Sequence, residues 1–108
     1  VSSHSAWIIT RVYDTDPEIR KEIGMSGPSD ASYDDRQRLL NTTSAPYIIA
    51  FRMRDDNGDL IYGGRQILRP GVTSDEDWSA PLDDFGAPNY GCTIIEHFID
   101  GRWQRVVG

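Results

Sequence analysis

The chain is expected to adopt an α+β fold: an antiparallel sheet of about five strands with one or two short helices packed on one face. Three observations predict this. Runs rich in β-branched and aromatic residues recur along the chain, as strands require. Two pairs of these runs are joined by short Asp/Asn-Gly turns, which make hairpins and therefore antiparallel neighbours. Helix punctuation falls only between the first and second runs, which segregates helices from strands. The 108 residues form one domain. Apolar residues make up 38% of the chain, with three Trp, five Tyr and three Phe, which is too much for a disordered chain.

Ala6-Trp7-Ile8-Ile9-Thr10-Arg11-Val12-Tyr13 reads as a strand. Both parities carry apolar groups, so an inner strand covered on both faces is expected. A two-turn helix follows over 16–24. Asp16 can cap it, Pro17 suits its first position and Gly24 suits the position after its end. Ile19 and Ile23 are four apart and should share its inner face. Residues 25–31 read as a turn-rich connector. Ser32 and Asp35 are spaced like a weak capping box for a second helix, with Tyr33, Leu39 and Leu40 facing inward.

In the next strand Tyr47, Ile49, Phe51 and Met53 share one face, and Arg52 and Arg54 the other. Asp55-Asp56-Asn57-Gly58 turns the chain into its partner over 59–68. A four-residue loop would pair Arg54 with Asp59, Met53 with Leu60 and Phe51 with Tyr62, avoiding like charges opposite each other. Gly63-Gly64 suggests a bulge or a close backbone approach. Residues 69–91 show no regular pattern and read as one long loop. The clearest hairpin is last. Asp100-Gly101 joins two apolar runs, and a two-residue turn pairs Ile99 with Arg102, Phe98 with Trp103, His97 with Gln104, and Glu96 with Arg105.

Net charge is −6, and the chain has no overall basic footprint, so direct nucleic-acid binding is not expected. No apolar run reaches the length of a membrane span. Residues 1–5 lack the basic and apolar regions of a signal peptide, and a lone Cys92 allows no intrachain disulfide, so a cytoplasmic location is expected. Acidity is concentrated over 14–35 and over 70–91, while the strand segments read as nearly balanced.

Chemistry is sparsely supplied. Glu96 and His97 are neighbours in a strand and point to opposite faces, so they cannot serve one site. Glu96 should pair with Arg105. The Asp55-Asp56-Asn57-Gly58-Asp59 run fails the calcium-loop test. Its glycine falls at the fourth position instead of the sixth, and Gln66 stands at the twelfth, where a bidentate Glu is needed. His4 lies near the terminus, and Cys92 reads as a buried, inert thiol. No phosphate loop, dinucleotide fingerprint or nucleophile elbow is present. Neither a cofactor nor a metal is expected.

The most distinctive stretch is Pro81-Leu82-Asp83-Asp84-Phe85-Gly86-Ala87-Pro88-Asn89-Tyr90-Gly91-Cys92. Its turn formers and apolar anchors suit a latch that docks the preceding loop on the core, with Leu82 and Phe85 buried and Asp83 or Asp84 held by a hydrogen bond or ion pair. This run resembles a group of small bacterial proteins found mostly in actinobacteria and their mobile elements. Trp7-Ile8-Ile9-Thr10, the run from Phe51 to Asp59, Tyr62, Gly64-Arg65 and Trp103 resemble the same group. The resemblance implies an actinobacterial, intracellular setting and carries no catalytic residues with it.

These features point to a non-enzymatic binding or accessory protein. It would engage another protein with a basic surface through Asp75, Glu76, Asp77, Trp78, Asp83, Asp84 and Tyr90. A variant of this reading has the acids imitate nucleic-acid charge toward a DNA-binding target. One alternative is a small enzyme or ligand-binding domain with a pocket beside 69–91, using Asp83, Asp84 or His97 with Arg65 or Arg105. Another is a self-associating module, such as a homodimer joined through strand edges or a sheet face.

Overall fold

The computed structural model describes residues 6–27, 33–42, 47–68 and 78–107. The strands are β1 (Trp7–Val12), β2 (Ser26–Gly27), β3 (Ile48–Arg54), β4 (Leu60–Ile67), β5 (Ile94–Ile99) and β6 (Arg102–Val107). Helices α1 (Pro17–Arg20) and α2 (Tyr33–Thr42) lie between β1 and β3, and a π-helical turn (Leu82–Gly86) runs directly into α3 (Ala87–Tyr90). All strand pairs are antiparallel, in the order β2-β1-β4-β3-β5-β6. The expected α+β sheet is present, with six strands among the described residues. The sixth is β2, inside the stretch read as a connector. Two residues carry no periodicity, so only their pairing with Trp7 and Ile8 reveals a strand.

Strand alternation divides the core in two. Trp7, Ile9, Val12, Phe51, Met53, Tyr62 and Ile95 lie on one face, with Leu82, Phe85 and Cys92 above them. On the other face Ile67, Ala6 and Leu40 form a smaller cluster flanked by Ile8 and Ile48. Helix α1 reaches the first face through Ile19, and α2 covers one end of the second through Leu40. The two helices therefore sit on opposite faces. β1 is buried on both sides only at its start: Ile9 is buried, but Thr10 and Arg11 are exposed.

A bulge explains why the apolar spacing of β1 is Trp7, Ile9, Val12. Ile9 pairs with Gly64 and Arg11 with the adjacent Gly63, so Thr10 is an extra residue. Alternation shifts by one there, which returns Val12 to the core face. The glycine pair is thus opposite a bulge and also permits close approach. A Cβ on Gly64 would run into the Ile8 carbonyl oxygen and the Phe51 ring.

The β5–β6 hairpin has the expected register throughout, from Ile99–Arg102 to Glu96–Arg105. Asp100 (φ 56°) and Gly101 (φ 78°) both take the left-handed conformation its two-residue turn demands. Phe98 and Trp103 meet edge to face at 5.3 Å. The β3–β4 hairpin departs from expectation. Arg54 pairs with Leu60, Met53 with Tyr62 and Phe51 with Gly64, with an irregularity beside Arg54. The cause is an Asx-type turn. Asp55 Oδ1 accepts the backbone N–H of Asn57 and of Asp59, both at 3.0 Å, and Arg54 Nη1 donates to the Gly58 carbonyl at 2.7 Å. This lengthens the loop, and Ile61 becomes the additional residue.

Asp16 caps α1 by accepting the Glu18 N–H at 3.0 Å, and Pro17 opens the helix. The helix is shorter than expected. The chain passes into turns after Arg20, so Ile23 is 46% exposed instead of sharing the face of Ile19. The proposed Ser32 cap lies outside the described residues.

Candidate functional site

The long irregular stretch is corrected in its second half. Residues 78–90 are largely helical, with Trp78 at the start and Tyr90 at the end. The turn formers are helix punctuation. Pro88 sits in the first turn of α3, and Gly91 (φ 76°) follows its last residue. Gly91 N–H bonds the Ala87 carbonyl at 3.0 Å and Cys92 N–H bonds the Gly86 carbonyl at 3.1 Å. The first of these is the single 5→1 bond of an αL cap, with glycine in the left-handed position. The π turn has a local cause: Pro88 has no N–H to donate back, and a wider turn moves its ring off the preceding carbonyls. Ala87 N–H accordingly reaches back to the Leu82 carbonyl.

This segment docks as the latch expected. Leu82 and Phe85 are each 4% exposed. The Phe85 ring stands 5.0 Å from Tyr62, edge on, and 5.6 Å from Trp7. Each such pair adds roughly 0.5–1.5 kcal/mol beyond the area it buries. Gly86 is buried against the sheet, where a Cβ would meet Met53 Sδ at 2.5 Å and Cys92 Cβ at 3.2 Å. Asp83 Oδ2 accepts the Ser79 hydroxyl at 2.8 Å, and Asp84 Oδ2 accepts the Trp7 indole N–H at 3.4 Å. Both carboxylates are exposed yet held.

Two tyrosine–carboxylate contacts close the other end. Tyr90 donates its hydroxyl to Asp14 Oδ2 at 2.7 Å, and Tyr62 donates to Glu22 Oε2 at 2.8 Å, which also accepts Asn89 Nδ2 at 3.3 Å. Asp14 is held below the usual carboxylate range by the Asp16 backbone N–H and then by Tyr90. Tyr62 is pushed up by burial and by its bond to Glu22. Nothing local in the sequence signals these contacts, because the partners are 40 to 76 residues apart.

Beneath the latch lie the described imidazole and thiol, the side chains suited to acid–base or nucleophilic chemistry. His97 is fully buried; its Nε2 bonds Gln66 Oε1 at 2.8 Å, and the Trp78 ring lies 5.3 Å away. His97 Nδ1 makes no hydrogen bond of standard geometry. Burial depresses the imidazole to about 4, outweighing the Trp78 backbone, which favours the charged form. Cys92 is 2% exposed, and burial followed by the charges of Asp55 and Glu22 pushes its thiol up to about 12. It is an inert thiol, as read. Among the described residues, no group of three or more His, Cys, Asp or Glu could hold a metal ion.

Of the residues expected to form an interaction surface, Asp75, Glu76 and Asp77 lie outside the described residues. Trp78, Asp83, Asp84 and Tyr90 occur along the latch, anchored respectively to His97, Ser79, Trp7 and Asp14. Glu96 faces Arg105 in register, but its ion pairs are with Arg52 and Arg54. Oε1 accepts both Nε groups, at 2.7 and 2.9 Å. Burial raises the Glu96 carboxyl, and the Arg54 and Arg52 contacts more than offset this, leaving it below the usual range. Compared with protein-family models, with curated proteins and with solved structures, the chain matches none.

Proposed function

We propose that the protein is a non-enzymatic binding module that meets a basic protein surface through the outer side of its latch. The arrangement around residues 78–90 carries this reading. The reactive candidates His97 and Cys92 lie underneath, buried and uncharged, while Asp83 and Asp84 are exposed above them and Trp78 is half-buried beside them. A rigid latch with fixed carboxylates loses little side-chain entropy on binding, which suits recognition better than a mobile acidic loop does. The resemblance of the 81–92 run to actinobacterial mobile-element proteins supports a bacterial cytoplasmic setting for this role.

The test is affinity capture from actinobacterial lysate with immobilised wild type and an Asp83→Lys/Asp84→Lys variant whose fold is verified by circular dichroism. A basic protein retained by wild type in 50 mM salt, lost in about 500 mM salt and lost with the variant is expected, since surface electrostatics are screened within a few ångströms at high salt. Identical captures by both proteins would refute this use of the latch.

A further inference from the structure

The face of the sheet opposite the latch is built differently from what net charge suggests. The strands carry six arginines and a single acid, Glu96, which corrects the expectation of balanced strand segments. Alternation places Arg11, Arg52, Arg54, Arg65 and Arg105 together with Glu96 on this second face. Register aligns Arg11, Gly63, Arg52, Glu96 and Arg105 as one row across five strands. Four strand spacings make that row about 19 Å long. Arg11, Arg65 and Arg105 are exposed, as is Ala50 beside Arg65.

Aromatic rings alternate with these cations. Arg52 lies over the Trp103 ring at 4.2 Å, and Arg11 over the Tyr13 ring at 4.6 Å. Phe98, 44% exposed, stands edge-on to Trp103. Among the described residues, Leu40 of α2 packs at the end of this face that holds Ile8, Ile48 and Ile67.

We propose that this face binds single-stranded nucleic acid. Planar guanidinium forks match phosphate oxygens, and flat rings on an open sheet accept stacked bases. A flat platform suits unpaired strands, whose bases can be splayed out, better than a duplex, whose grooves call for a protruding element. An acidic protein would satisfy the arginines but would leave the exposed Phe98 ring without a role. The face is separate from the latch surface, so either proposal can fail alone.

The experiment is fluorescence anisotropy with 5′-labelled dT12, titrated at several salt concentrations. Wild type should bind with Kd on the order of 1–100 µM, and three exposed arginines should give a log–log salt slope of about −2. An Arg65→Glu/Arg105→Glu variant should bind at least about tenfold more weakly with a shallower slope, while an Arg20→Glu/Lys21→Glu control at the end of α1 stays within about threefold. Phe98→Ala should cost about tenfold with dT12 and leave inorganic polyphosphate binding unchanged. No saturable binding in 50 mM salt, or an equal loss in the α1 control, would overturn the proposal. Competition by poly-glutamate as strong as by dT12, or a Phe98→Ala variant that binds dT12 normally, would also do so. Those last two results would mean that the face reads negative charge alone.

Discussion

His97 shows how a residue that looks reactive becomes structural. Its ring is enclosed by Gln66 and Trp78, and burial holds it neutral down to about pH 4. The unfolded chain takes up a proton at this residue once pH falls below about 6.5, while the folded chain does not. Stability is therefore present above that pH and is lost as pH falls from about 6.5 toward 4, by at most about 3 kcal/mol. Urea unfolding from pH 7.5 to 4.5 should show this slope in wild type and a flatter one in His97→Gln. A wild-type curve that is flat over this range would remove the buried neutral imidazole. The Glu96 carboxyl, raised by burial but lowered more by Arg54 and Arg52, contributes stability that is present above its ordinary value and is lost as pH falls below it, so most of its effect lies beneath the His97 window. Cys92, pushed up to about 12, should react with a thiol reagent orders of magnitude more slowly in the native state than in guanidinium. Equal rates would place the thiol at the surface.

The latch and the two hairpins set the behaviour of the elements. Gly86→Ala would push a methyl group against Met53 and Cys92, an overpacking cost of roughly 1–3 kcal/mol. Gly91→Ala meets open space but keeps a positive φ, so its cost of about 1–2 kcal/mol is conformational. Chemical denaturation of both variants tests this, and a neutral Gly86→Ala would mean the latch is not seated on Met53. Legibility differed between elements for a definable reason. The β5–β6 register could be read because Asp100-Gly101 admits one compact turn. The β3–β4 register could not, because the Asp55 side chain captures two backbone donors and lengthens the loop. Pro81, Pro88 and Gly91 read as loop formers in the sequence, yet Pro88 lies in the first turn of α3 and Gly91 follows its last residue. The helix they punctuate lacks amphipathic length and is held by Phe85 and Leu82 against the sheet.

Across the described strands and the latch, acids and arginines gather on different faces of the sheet. Asp14, Glu22, Asp83 and Asp84 lie with the latch and α1, and the arginine row lies on the opposite face. Repulsion among the acids, with a net charge of −6, should make added salt stabilising. The thermal midpoint should rise by a few degrees between 10 mM and 300 mM NaCl, because the Debye length shrinks from about 30 Å to well under 10 Å. A falling midpoint would indicate that the Glu96 ion pairs, at 13% to 25% side-chain exposure, outweigh the repulsion.

The sequence by itself determined the fold class, the strands longer than two residues, the facing of β3, the last hairpin's register, the inert thiol and the apolar anchors of the latch. Each follows from local periodicity, turn chemistry or residue type. The tertiary structure alone decided that the helices divide between the faces and that β2 joins the sheet. It also decided that Asp14 and Glu22 clasp Tyr90 and Tyr62, and that arginines scattered from Arg11 to Arg105 form one row. These features depend on strand order and on contacts between residues far apart in the chain, and no local pattern encodes which strands become neighbours.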